Sequence, residues 1–286
     1  MKNFRFKSFA KLSIMLMGAS FLCVFFSCTV EGLNEYNQGV KYVNERQYEK
    51  ALECFNKSIA LDPNYYNAYN GRGYVYNHLA MYEEAIVDFT KAIELKGDEP
   101  DYYFNRGNAY TYLKKYDLAI KDYTRVIELD PQHKNGYSNY YCTKAIVLID
   151  QGKREEALHY LNKAISIDPT FLRSYLLRFG ICTELTEYDK AFNDINTFIN
   201  LLPNDSFGYY MRGRCYVEDK KNYKMAIIDF NKAISIDPED GEYYQGRAIT
   251  HYNSGKKDEA KKDFYTACLK GDDWSCEQLE KLFENK

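Results

Sequence analysis

Small, aromatic and alanine positions recur along this chain at a fixed interval. Seven alanines, Ala51, Ala85, Ala119, Ala157, Ala191, Ala226 and Ala260, are separated by 34, 34, 38, 34, 35 and 34 residues. Five prolines, Pro63, Pro131, Pro169, Pro203 and Pro238, follow the same ladder with spacings of 68, 38, 34 and 35. Two residue types that share one period and both insertions mark an internal repeat, and a period in this range means stacked supersecondary units. Inside a unit, a small residue (Gly39, Gly73, Gly107, Gly213) stands three positions before an aromatic (Tyr42, Tyr76, Tyr110, Tyr216). The ladder alanine comes next and is followed four residues later by a second aromatic, Phe55, Phe89, Tyr123, Phe230 or Phe264. The pattern predicts two antiparallel helices joined by a tight turn. The small residues let the helices approach, the rings fill the space beside them, and proline ends the second helix. One such hairpin cannot bury its own apolar face, so stacked neighbours must supply the core.

These residues resemble the tetratricopeptide repeat. The resemblance covers about residues 32–274, in repeats at 32–65, 66–99, 100–133, 138–171, 172–205, 206–240 and 241–274. Repeats four and five are looser, with Ala145 and Phe179 at the small position and Leu148 and Cys182 at the first aromatic one. The resemblance implies an all-α fold, a right-handed α-α superhelix of about seven helix-turn-helix repeats. Beyond it, Trp274, Leu279, Leu282 and Phe283 recur at helical spacing and predict a capping helix at 275–286 over the last repeat. Four extra residues enter between Pro131 and Lys144, either as a loop around Gly136 or as an added turn of the first helix of repeat four. One more enters at 218–223.

The N-terminus changes the picture of where the repeats work. Lys2, Arg5, Lys7 and Lys11 precede an uncharged apolar stretch from Leu12 to Ser27. That is the layout of a secretory signal. Phe25-Phe26-Ser27-Cys28 resembles the lipobox of bacterial lipoproteins, which implies acylation of Cys28, a signal at 1–27 and a short tether at 28–31. A soluble secreted protein and an uncleaved anchor are the alternatives. All three place the body outside the cytoplasm, and the lipoprotein reading places it at the cell envelope, on the outer membrane. Without residues 1–27, 34 basic side chains face 41 acidic ones. This mildly acidic body argues against nucleic acid, which needs a basic face.

No catalytic constellation is visible: no phosphate-binding glycine loop, no G-x-S-x-G and no H-E-x-x-H. The reading is therefore of a non-enzyme, with no cofactor, metal or small-molecule substrate. His78, His133, His159 and His251 fall in different repeats without ligand spacing, and the carboxylates read as solvated surface. The doublets Tyr102-Tyr103, Tyr140-Tyr141 and Tyr243-Tyr244 invite a sugar or peptide platform, but all fall at repeat positions 3 and 4, and position 4 is expected to pack between helices. Cys54, Cys142, Cys182 and Cys215 read as small buried hydrophobes. The segment ACLKGDDWSC resembles the Sel1-like repeat family, which implies a disulfide between Cys268 and Cys276; two free thiols are the alternative.

The tetratricopeptide resemblance implies a scaffold or adaptor for a protein or peptide partner, with an envelope assembly factor or a protease adaptor as the other reading. In that family the concave groove is lined by positions 2, 5, 9, 12 and 13 of each first helix. Carried over, these positions give Asn67, Asn70, Tyr74, Asn77 and His78 in repeat two, Asp101, Phe104, Asn108, Thr111 and Tyr112 in repeat three, and Phe207, Tyr210, Arg214 and Glu218 in repeat six. Of these, Asn67, Asn70, Tyr74, Asn77, Asn108, Tyr112, Tyr210 and Arg214 are the expected partner contacts. An Asn side chain has a donor and an acceptor for a peptide backbone, and Tyr adds flat apolar area. The family's clamp for a terminal carboxylate does not transfer, because Tyr36 and Val40 occupy its first Lys and Asn positions.

Overall fold

A computed structural model describes residues 30–218 and 221–284. All its elements are helical. Helix α1 covers residues 30–44. It is followed by α2 (Tyr48–Leu61), α3 (Tyr66–His78), α4 (Tyr82–Leu95), α5 (Pro100–Tyr112), α6 (Tyr116–Leu129) and α7 (Lys134–Asp150). Then come α8 (Arg154–Ile167), α9 (Leu172–Glu184), α10 (Tyr188–Leu201), α11 (Ser206–Glu218), α12 (Tyr223–Ile236), α13 (Gly241–Asn253), α14 (Lys257–Leu269) and α15 (Asp273–Leu279). A single π-helical turn, Glu280–Glu284, continues α15. The described residues fall into two compact units divided inside α7, between Thr143 and Lys144.

Each repeat is a hairpin, and in repeats one, two, three and six a glycine sets its approach distance. A Cβ added to Gly73 would lie 2.8 Å from the ring of Phe89, and one on Gly107 would lie 2.8 Å from Tyr123. In repeat two the same logic acts from the next repeat too, because a Cβ on Gly71 would lie 2.8 Å from Phe55 of repeat one. The second-helix ring is thus pinched between two first helices, and Phe55, Phe89, Tyr123, Phe230 and Phe264 are almost fully buried. The ladder alanines are fully buried in every repeat. Five of the hairpin turns place a non-glycine residue in left-handed backbone: Arg46, Ala80, Lys114 and Thr186 at φ 57–58°, and Lys221 at φ 45°.

The four-residue insertion becomes helix. First helices α3, α5, α9, α11 and α13 have 13 residues, whereas α7 has 17. Its early start has a local cause: His133 Nδ1 accepts the Gly136 backbone N–H at 2.9 Å and caps the helix. Gly136 also fits closely on α6, where a Cβ would meet Val126 at 2.8 Å. At the C-terminal end, Leu279, Leu282 and Phe283 pack on Ala248, Ala260 and Phe264 of the last hairpin. Cys268 in α14 and Cys276 in α15 are joined, with Cα atoms 4.8 Å apart. Cys54, Cys142, Cys182 and Cys215 are buried.

The tyrosine doublets differ in detail from the reading of their positions. Position 3 is the more buried one, as Tyr102 and Tyr243 show. Position 4 is half-buried at Tyr69, Tyr103 and Tyr209 and buried at Tyr175, and its hydroxyl reaches back to a carbonyl of the preceding turn. Tyr103 donates to Gly97 O at 3.1 Å, and Tyr69, Tyr175 and Tyr209 donate to Pro63, Pro169 and Pro203. Both members of the doublet are therefore occupied with packing.

Candidate interaction surface

Five aspartates correct the reading of carboxylates as solvated surface. Asp88, Asp122, Asp194, Asp229 and Asp263 are buried in the second helices of repeats two, three, five, six and seven. Each receives a two-pronged guanidinium from the first helix of its own repeat: Arg72, Arg106, Arg178, Arg212 and Arg247. The third guanidinium arm reaches the preceding repeat, at Asn56, Thr90, Asn162, Asn196 and Asn231. Burial of a carboxylate is tolerable when a fork-shaped cation satisfies both oxygens. The signal was present in the sequence, because these arginines and aspartates keep the period of the alanines. Repeats one and four lack the rung. They carry Gln38 with Cys54, and Lys144 with Tyr160, where the ammonium sits 5.6 Å over the ring.

With the arginines committed to this ladder, the first helices present their other face. In the first unit, α3 touches α5 directly, and four of the positions selected from the sequence, Tyr74, Asn77, Asn108 and Tyr112, come together there. Tyr74, Asn77, His78, Asn105, Asn108 and Tyr112 line one cleft of about 180 Å³. Several of the asparagines are partly spent on holding repeats together. Asn67 Oδ1 accepts from Tyr102 Oη at 2.7 Å, and Asn70 Oδ1 accepts from Asn105 Nδ2 at 3.1 Å. Asn77 Nδ2 donates to Asn105 O at 3.3 Å, and Asn108 Oδ1 accepts from Tyr123 Oη at 2.7 Å. The buried Asn77 Oδ1 has no partner, and the amide N–H groups of Asn108 make none of these bonds.

The rim of this cleft is aromatic, and sequence reasoning missed how the rings are paired. Tyr82 of repeat two stacks under Tyr112 of repeat three, with centroids 4.8 Å apart and planes 8° from parallel. Tyr48 of repeat one stacks under His78 of repeat two at 5.3 Å and 13°. Tyr74 leans on His78 at 4.5 Å. Tyr112 is 66% exposed and Tyr74 40%.

The second unit differs. Tyr210 is 7% exposed and packs against Phe230 and Tyr243. It therefore belongs mainly to the core, although it borders a cleft of about 270 Å³ with Arg214, Glu218 and Gln245. Arg214 lies over the Tyr210 ring and pairs with Glu218 at 3.2 Å. One repeat earlier the rim carries the ion pair of Arg154 with Glu184. Among the described residues no group of three metal-ligating side chains occurs, and none of their helices is long and apolar enough to cross a membrane. Cys28 and residues 1–27 lie outside the described residues.

Profiles of the tetratricopeptide repeat match residues 35–65, 66–98, 100–133, 138–171 and 208–240, more than half of the chain. The chain belongs to the tetratricopeptide repeat family. It is a protein-interaction fold of that class, all-α throughout the described residues. Among curated relatives, the chain is 31% identical over 120 residues to the DnaJ homolog subfamily C member 7 homolog of Dictyostelium discoideum. It is 28% identical over 123 residues to human tetratricopeptide repeat protein 6. These stretches take in 40% and 43% of this chain but 22% of each relative, so the chain spans about a fifth of their length. A solved tetratricopeptide protein from Parabacteroides merdae superposes with a TM-score of 0.60 at 19% identity, over 87% of this chain and 98% of that one. PilF of Pseudomonas aeruginosa does so with 0.62 at 16% identity, over 78% and 99%. At these identities the likeness is one of tetratricopeptide fold alone.

Proposed function

We propose that this protein is a membrane-tethered scaffold or adaptor of the bacterial envelope, exported by residues 1–27, acylated at Cys28 and carrying a protein partner on its first-helix face. The observation that carries the reading is the cleft between α3 and α5, where the exposed Tyr74 and Tyr112 converge with the unpartnered Asn77 Oδ1. The partner site proposed in the first unit comprises Asn67, Asn70, Tyr74, Asn77, Asn108 and Tyr112; Tyr210 and Arg214 border a cleft of the second unit. The basic start, the apolar stretch and the Ser27-Cys28 step support the anchor. Attachment through two or more acyl chains is stable where one chain is not.

The test is in-cell crosslinking and pull-down with the tagged full chain, read by mass spectrometry. The double variant Tyr74→Ala with Tyr112→Ala is the decisive arm, because both rings are exposed and their loss spares the inter-repeat hydrogen bonds. Capture reduced about ten-fold, on the order of 1.4 kcal/mol, supports the groove. Wild-type capture by the folded double variant overturns it. For the anchor, Cys28→Ala should abolish acyl labelling and move the body to the soluble fraction, and labelling that survives rejects the lipoprotein assignment.

A further inference from the structure

We propose that the cleft between α3 and α5 takes an uncharged proline-bearing segment in polyproline II conformation, with prolines three residues apart. This inference rests on the groove reading above and names the chemistry of its occupant.

Charge narrows the choice first. The cleft is lined by tyrosines, asparagines and His78, with no Lys, Arg, Asp or Glu among them. A segment bearing fixed charge would lose water there and gain no counter-charge. Period narrows it further. Packed neighbouring helices lie about 8–10 Å apart, and α3 and α5 are in direct contact. A polyproline II helix has three residues per turn and rises about 3.1 Å per residue, or roughly 9 Å per turn. Prolines at i and i+3 therefore share one face and advance by one repeat. A β-strand turns its side chains over every second residue, so equivalent side chains fall out of step with the repeats.

The rings fit this register. His78 and Tyr112 hold the same position in successive repeats, and each is backed by a parallel ring from the repeat before, Tyr48 and Tyr82. Rings fixed from behind offer flat apolar surface at little cost in side-chain entropy, which is what a pyrrolidine ring packs on. Aromatic-lined grooves recognise polyproline II segments in this way. The leftover polar groups complete the match. A polyproline II backbone has no internal hydrogen bonds. The non-proline residues between two prolines can donate an N–H to the Asn77 carboxamide, whose buried Oδ1 has no partner and rotates outward to accept it. The peptide carbonyls can accept from the Asn108 amide.

The experiment titrates the full chain, by fluorescence anisotropy, into fluorescein-labelled, C-amidated Pro-Ala-Ser-Pro-Ala-Ser-Pro. The control peptide is Pro-Ala-Pro-Ser-Pro-Ala-Ser, of equal composition with prolines two apart. Tyr112→Ala removes a ring that is 66% exposed, so an unchanged thermal melt verifies its fold. The expected result is binding weakened about ten-fold or more, both for the control peptide and for Tyr112→Ala. Equal affinity for the two peptides overturns the inference, as does undiminished binding by Tyr112→Ala. Maltoheptaose binding that depends on Tyr112, with no peptide binding, overturns it in favour of a carbohydrate. Competition with the captured partner separates the two levels. If capture depends on Tyr74 and Tyr112 but the three-residue-period peptide does not displace the partner, this inference fails and the scaffold stands. If capture ignores both tyrosines, the scaffold's groove fails as well.

Discussion

Arg106 donates through Nε and Nη2 to the two carboxylate oxygens of Asp122, each at 2.8 Å, while its remaining nitrogen reaches Thr90 of the preceding repeat at 3.1 Å. One side chain thereby closes its own hairpin and ties it to the one before. Asp122 is 4% exposed, and removing one member of a buried pair leaves an uncompensated charge. Asp122→Ala should therefore cost about 3 kcal/mol, measured by urea unfolding. Replacing both members by Met and Leu should recover most of that loss, since no charge is then stranded. A single variant as stable as the double one would contradict the account.

Gly73→Ala tests the approach of the two helices in repeat two. Its new methyl would lie 2.8 Å from Phe89, a fully buried ring with no room to retreat. Overpacking of this kind costs about 1–3 kcal/mol, which outweighs the gain in helix propensity of roughly 1 kcal/mol from Gly to Ala. Thermal unfolding should show a net loss. Gly180→Ala, whose Cβ would meet nothing within 4 Å, should show a net gain.

His251 gives the last repeat a pH dependence. It occupies the position held by Tyr76, Tyr110 and Tyr216 in other repeats, and its Nδ1 is buried without a partner. Burial holds its pKa below the ordinary 6.5; Arg247 and Lys256 push the same way, and Asp263 and Glu259 pull against them. A depressed folded pKa means that the unfolded chain takes up the proton first. The contribution is complete above about pH 6.5 and is lost as pH falls through the lower folded value. His251→Tyr should flatten the stability profile between about pH 7.5 and 5, with urea midpoints as the readout. An unchanged slope would remove His251 as its source.

Cys268 and Cys276 pin α15 to α14. Mass mapping of the oxidised full chain should recover residues 268 and 276 in one linked peptide. Reduction should then expose amides of α15 to hydrogen exchange ahead of the remaining repeats, because the closed loop is short and contributes less than the roughly 3 kcal/mol of a 15-residue loop. Separate peptides carrying free thiols would refute the bond.

The repeat and its hairpins were legible because their causes are local and periodic: a glycine opposite a ring, an alanine at the crossing, a proline after the second helix. The cap on α7 was open, since the same residues allow a loop or a turn, and only the His133 imidazole over Gly136 N–H decides between them. The groove was half legible. Tyr74, Asn77, Asn108 and Tyr112 line one cleft, but periodicity says nothing of how each amide divides its donor and acceptor, and Asn67 and Asn70 give their oxygens to Tyr102 and Asn105 of the neighbouring repeat. Tyr210 went to the core for a related reason: Tyr243 follows it in the next repeat, and the two rings bury one another. The Arg–Asp ladder was written in the sequence at the alanine period and overlooked, because carboxylates on amphipathic helices are usually solvated.

The third arm of each arginine bears on how such a chain can lengthen. The repeat at 66–99 carries its own Arg72 and Asp88, and it presents Thr90 to whichever arginine comes next. An in-frame tandem copy of it would enter already wired on both sides, with no further substitution needed at the seams. The repeat at 138–171 has Lys144 and Tyr160 where the others have the ladder arginine and aspartate, and it supplies Asn162 to its successor. Duplicating that repeat would add a module joined from one side. Genetic growth of this protein by copying is therefore easier in the arginine-bearing repeats than at its middle.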